Sequence, residues 1–230
     1  MKVLVAGCGR GGTNLGIELV RSFNYFFTTA SVEDRSFFTK GKLPSLYATK
    51  LATENKGFST KNLCKMMALN EDLHIIFMLR HPLDILLSKI LRGRPRSQGG
   101  DSPIDQVATD GTPEGAARAI EKMFTIYTFL QERYPTRLLT IKMENLTTNP
   151  DSETQRVSSF LRTPITESTK TFYANNRNAY HQSRYKGVLH PQVSLYENLE
   201  ENFNGIFADE KDMVNDYKDK LEKITNHLSY

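Results

Sequence analysis

The stretch "LVAGCGRGGTNL", residues 4–15, decides the fold. An apolar run, Lys2–Ala6, enters a set of glycines, and Thr13–Phe23 then carries Leu15, Leu19, Val20 and Phe23 at helical spacing. Strand, glycine turn and helix is the opening of an α/β nucleotide-binding domain, in which N–H groups at the helix start are turned toward phosphate. A triphosphate-binding loop requires Gly, four residues, Gly, Lys and then Ser or Thr. Counting from Gly7, the second glycine falls correctly at Gly12, but Thr13 and Asn14 occupy the next two places. The nearby cation is Arg10, in the middle of the loop. The N–H groups of Gly9, Gly11, Gly12, Thr13 and Asn14 form the expected phosphate cradle. Taken alone, a glycine turn after a first strand is also an ordinary turn.

Working outward, "FFTTASVED" (26–34) and "LPSLYATK" (43–50) read as second and third strands or strand ends, and Thr60–Leu69 as a helix. "LHIIFMLR" (73–80) is the clearest strand, and Pro82 fits the first turn of a helix reaching about Leu91. Residues 93–112, rich in Gly, Pro, Ser and Asp, read as a long flexible loop. Thr112-Pro113 caps a helix that Tyr134-Pro135 stops. "RLLTIKM" (137–143) is a further strand, Ser152–Leu161 a helix, and the 206–230 segment ends the chain in an amphipathic helix from about 209 to 228. Residues 163–205 lack clear periodicity. Alternating strands and helices imply a central, mostly parallel sheet flanked by helices, a P-loop-containing α/β nucleotide-binding fold formed as a single domain over 1–230. Ligands of such sheets sit beyond the carboxyl ends of the strands, where both Gly7–Asn14 and the Arg80 region fall.

Composition narrows the classes. A 39% hydrophobic and 24% charged chain is globular, and a net charge of +4 is too mild for a nucleic-acid-binding tail. Residues 85–100 carry four Lys/Arg and no acid, and residues 168–196 do the same, which favours a small anionic ligand over a long polyanion. Residues 197–222 hold nine acids against three Lys/Arg and read as a solvated face. Two cysteines, Cys8 and Cys64, build no disulfide framework, and Cys8 has no histidine nearby to make it a nucleophile. No membrane-spanning run is present and a strand begins at residue 2, so the expectation is a cytoplasmic protein with no membrane partner, in which the Asn145-Leu-Thr147 sequon has no role. Nothing in these patterns fixes an oligomeric state.

The second strand end discriminates between chemistries. A phosphoryl-transfer enzyme of the P-loop class wants an Asp there to help hold Mg²⁺. The strand instead ends in Arg80, then His81-Pro82, with Asp84, Ser88 and Arg92 following at four-residue intervals on one helix face. Arg80, Ser88 and Arg92 are therefore candidates for a second phosphate, separate from the one at the loop.

"AGCGRGGTNL" together with "FMLRHPLDILLSKILR" resembles the two cofactor signatures of the sulfotransferase family, which uses 3′-phosphoadenosine 5′-phosphosulfate (PAPS) and releases the bisphosphate PAP without a metal. The first signature is a strand, Lys or Arg, then Ser/Gly-Gly-Thr. The second is Arg-x-Pro-x-Asp with Ser eight residues after the Arg, a spacing kept by Arg80 and Ser88. "IKMENLTTNPDSETQRVSSFL" (141–161) is similar to the family's strand, Glu-x-Leu, Asn-Pro and helix, so the resemblance covers most of residues 3–161.

The resemblance assigns Arg10 to the 5′-phosphate and its bridging oxygen, and Thr13 and Asn14 to the same phosphate. Sulfuryl transfer leaves negative charge on that phosphate, so a cation placed there favours the transition state. An acceptor proton needs a base. Glu33, 23 residues after Arg10, fits the family's glutamate, and Asp34 beside it is the alternative. Lys50 resembles the lysine that steadies the sulfuryl group. His81 occupies a position the family tolerates as Asp or His and is read as structural. "YHQSRYKGVLH" (180–190) resembles the segment that folds over the 3′-phosphate, which makes Arg184, Lys186 and Gly187 candidates. Met143 stands where the family often has Tyr against the adenine, and the chain has no Trp. The reading is a PAPS-dependent sulfotransferase acting on a hydroxyl or amine, with a carbohydrate or other small-molecule acceptor. A divergent nucleotide kinase and a non-catalytic nucleotide-binding module remain as alternatives.

Overall fold

The computed structural model describes residues 1–23, 33–93, 111–172 and 211–230, apart from the side chains of Leu91 and Arg92. They fall into two compact units, each drawn from two stretches of chain: Met1–Leu79 with Thr125–Gln192, and Arg80–Phe124 with Val193–Tyr230.

The first unit is built on a four-stranded parallel sheet: β1 (Lys2–Gly7), β2 (Tyr47–Ala52), β3 (Leu73–Leu79) and β4 (Leu138–Lys142), in the order β2-β1-β3-β4. All six residues of β1 are buried, as expected of a strand covered on both faces. One face packs Val3, Val5, Ala48, Ile76, Met78 and Ile141 against Ile17 and Val20 of α1 (Thr13–Ser22). Leu146 of α5 (Met143–Thr148) and Val157 and Leu161 of α6 (Pro150–Leu161) complete that core. On the other face Phe77 meets Tyr127 of α4 (Pro113–Arg133), ring centroids 5.2 Å apart. Between β2 and β3 runs α2 (Thr60–Leu69), started by Ser59, whose hydroxyl accepts from the Asn62 N–H.

The second unit contains α3 (Pro82–Gly93), the first half of α4, and α7 (Lys211–His227), which packs on α3. Phe124 and His227 make an edge-to-face contact at 4.9 Å. Thr112 caps α4 as its Thr-Pro sequence predicts, its hydroxyl accepting from the Gly115 N–H at 3.1 Å. Gly93 and Gly111 meet backbone to backbone: a Cβ on either would stand 2.3 Å from the other's Cα.

Three expectations shift. The strand expected at 43–50 lies at 47–52, in register with β1 through Lys2↔Tyr47 to Gly7↔Ala52. Met143 leaves the strand expected at 137–143 and opens α5. The helix expected from Ser152 starts at Pro150, because the Asn149 side chain accepts from the Ser152 N–H and proline suits the first helical position. The strand proposed at 26–34 and the loop at 93–112 lie mostly outside the described residues, as do Arg184, Lys186 and Gly187.

Candidate active site

The site is built first from backbone. Gly7 ends β1 where no side chain fits, since a Cβ would lie 2.5 Å from the Met78 carbonyl oxygen. The Gly11 N–H then donates to the Cys8 carbonyl at 2.9 Å and closes a tight turn. Arg10 holds the third position of that turn with φ 72°, the left-handed conformation that glycine usually supplies there. Gly12 follows at φ 91°, the N-cap of α1, and no side chain caps the helix. A Cβ on Gly12 would sit 2.9 Å from the Met143 sulfur, so that methionine packs beneath the loop. Gly16 lets α1 lie directly on the sheet, its missing Cβ 2.7 Å from the Met78 sulfur. With a glycine cap and no side-chain acceptor, the first-turn N–H groups of Thr13 and Asn14 stand at the positive end of the helix dipole, where an anion is favoured.

Two N–H groups of the expected cradle are engaged within the protein. Gly11 donates to Cys8, as above, and Gly9 donates to both oxygens of Glu54, at 2.9 and 3.1 Å. Glu54 was not among the residues singled out from sequence. It arrives because the Thr53 N–H donates to the Gly7 carbonyl at 2.9 Å, prolonging the β1–β2 pairing into the loop.

Beside the loop stands the candidate base. Glu33 accepts from Lys50 Nζ at 2.9 Å and from Asn55 Nδ2 at 3.0 Å, with Arg35 Nε at 3.5 Å. Lys50 lies two residues beyond Ala48 on the α1 face of β2, opposite Val5. Burial pushes the Glu33 carboxyl up, but the bonds from Lys50 and Asn55 and the charges of Lys50 and Arg35 outweigh it and hold it below its ordinary value.

Asp34 does something different. Its carboxylate accepts from the Ser36 N–H and hydroxyl, from Lys40 and from the Tyr47 hydroxyl, while its own N–H donates to Thr49 Oγ1 at 2.8 Å. Partial burial opposes ionisation there, yet these bonds draw its pKa down to about 2. A carboxylate so engaged fixes a turn onto β2. Asp34 also lifts the Tyr47 hydroxyl well above its usual value, burial being the larger cause.

In the second unit, Arg80 is 3% exposed and its Nε lies 3.4 Å from Oδ2 of the fully buried Asp84. Held by that edge, a guanidinium keeps its remaining donors in a fixed fork. His81 Nδ1 accepts from the Leu83 N–H at 3.2 Å and so caps α3. Ser88 is buried two turns further along the same helix. The loop residues, Glu33 and Lys50 thus belong to one unit, and Arg80 and Ser88 to the other. Each set has donors that suit a phosphate: uncapped helix N–H groups with Arg10 in the first unit, a buried arginine with a serine in the second.

Among the described residues no helix is long and apolar enough to cross a membrane. No curated protein matches the chain in sequence. Solved structures do match it in fold. A sulfotransferase domain from the curacin biosynthetic pathway is 15% identical, covering 74% of this chain and 77% of that one, with a TM-score of 0.57. The sulfotransferase domain of the Synechococcus PCC 7002 olefin synthase gives 11%, 89%, 94% and 0.57 for the same four measures. A mouse sulfotransferase complexed with PAP gives 13%, 80%, 66% and 0.52. The sulfotransferase domain family itself matches residues 1–190. The chain belongs to that family, and is an enzyme that takes its sulfuryl group from PAPS.

Proposed function

We propose that this enzyme sulfates a hydroxyl or amine of a small acceptor, most naturally a carbohydrate, with Glu33 as the general base, in the cytoplasm. The observation that carries the reading is Glu33 held between Lys50 and Asn55, on the segment whose preceding residue grips the phosphate loop. When bound, PAPS supplies a sulfuryl group whose bond to the 5′-phosphate oxygen breaks as the bond to the acceptor forms. Arg10, with the N–H groups of Thr13 and Asn14, takes up the charge that develops on the 5′-phosphate. Lys50 steadies the sulfuryl group, and Glu33 receives the acceptor's proton. Arg80 and Ser88, with Arg92, hold the 3′-phosphate, and Arg184, Lys186 and Gly187 are further candidates for it. Gly9, Gly11 and Gly12 shape the loop. No step calls for a metal, because the sulfuryl group carries less charge than a phosphoryl group.

The choice of Glu33 over Asp34 is supported by the hydrogen bonds from Ser36, Lys40 and Tyr47 that engage the Asp34 carboxylate within the fold. Cys8 and Cys64 are not joined in a disulfide, which accords with a reducing compartment.

The test is turnover of PAPS against an acceptor panel, with a thermal shift by PAP in the absence of Mg²⁺. Glu33→Gln should lower kcat by about a hundredfold to ten-thousandfold while leaving the PAP shift intact. A lowered pKa keeps Glu33 ionised, so kcat/KM should fall only as pH drops below 4.5. Full activity in Glu33→Gln would refute the base, and stabilisation only by Mg²⁺-ATP would refute the donor.

A further inference from the structure

Glu54 puts a negative charge against a loop built to receive anions. Like charge there opposes nucleotide binding, so the contact calls for a compensating role. The neighbouring geometry supplies one. Arg10 sits at φ 72°, a left-handed conformation that is unfavourable for a non-glycine residue and persists only where its surroundings impose it. One restraint is the Gly11-to-Cys8 hydrogen bond. A second is Glu54, which takes the Gly9 N–H in a forked, charge-assisted pair immediately before Arg10. Its own backbone is anchored by the Thr53-to-Gly7 bond, and Asn55 beside it orients Glu33. Residues 53–55 therefore hold the loop and the candidate base to one another.

We propose that Glu54 is a positioning residue: its carboxylate clamps the Gly9 N–H and thereby fixes the turn that presents Arg10 to the 5′-phosphate. This rests on the role given to Arg10 above. Glu54 touches neither donor nor acceptor in this scheme and acts through the loop.

A double-mutant cycle tests it, with PAP affinity by calorimetry and kcat/KM for PAPS as readouts. Glu54→Ala should weaken both by about tenfold to a hundredfold, the range of a lost hydrogen bond to a charged group. Glu54→Gln, whose amide oxygen still accepts from Gly9, should recover most of the loss. Glu54→Ala added to Arg10→Ala should cost little more than Arg10→Ala alone, since both act through one guanidinium. Losses that multiply would overturn the proposal, as would wild-type behaviour of Glu54→Ala. Tighter PAP binding by Glu54→Ala would also overturn it, because Glu54 would then be an anion that the phosphate must displace. If Glu54→Ala does not fold, Glu54→Asp replaces it: one methylene short, it should fall well below Glu54→Gln, and equality of the two overturns the clamp. A wild-type protein that neither binds PAP nor turns over PAPS would sink the functional reading itself. Normal wild-type activity with an indifferent Glu54 sinks only this inference.

Discussion

At Gly7–Thr13 the chain passes from β1 into α1 through glycines and left-handed backbone. At Arg80–Pro82 it passes from β3 into α3 through a buried arginine, a capping histidine and a proline. Both junctions follow neighbouring parallel strands at their carboxyl ends. The first leaves its helix start without a side-chain cap, so its donors stand ready for a ligand. The second closes its own start with His81 and sets its charge in a buried pair with Asp84. One junction keeps its donors at an open helix end, while the other fixes its cation in a buried pair, where the fold depends on it as well as the proposed ligand. Substitution effects should divide accordingly, into binding alone at the first and folding together with binding at the second.

The largest contrast is between the two arginines. Arg80→Ala removes the guanidinium from a fully buried carboxylate and should destabilise the protein by about 3–5 kcal/mol, read by denaturant unfolding. Arg10→Gly relieves a left-handed residue and should leave the melting temperature unchanged or raised, while PAP affinity falls about tenfold to a hundredfold. Equal stability losses in both would erase the distinction. Gly12→Ala comes next, at about 1–3 kcal/mol, because φ 91° is strained for alanine and its Cβ meets the Met143 sulfur at 2.9 Å. Trimming Met143 to Ala in the same chain should relieve the collision and leave the backbone strain, which a chemical melt of the double variant would separate. His81→Ala should be smallest, about 1 kcal/mol, the usual worth of a helix cap. A melt identical to wild type would show that the ring's bond to Leu83 contributes nothing.

Local order was largely legible in the sequence, and long-range order was not. The continuous apolar run of β3 and the glycine turn after β1 announced themselves through composition and spacing. The start of α6 was signalled by Asn149-Pro150 as cap and first residue, yet the expected start, Ser152, fell two residues late. Met143 was harder, because "TIKM" is apolar enough to continue a strand. Its place is set by packing under Gly12, a contact spanning most of the unit's sequence. Asp34 and Glu33 are adjacent acids that only their partners tell apart: Ser36, Lys40 and Tyr47 for one, Lys50 and Asn55 for the other. Glu54 carried no local signal. Its bond to Gly9 crosses 45 positions and follows from the parallel register of β1 and β2, which no short motif encodes.

The Gly93–Gly111 contact has a practical corollary. Where two backbones touch so closely that neither tolerates a side chain, the chain departs and returns through a single doorway. Each glycine there acts as a spacer between the end of α3 and the start of α4, so a methyl on either would have to push the two helix ends apart.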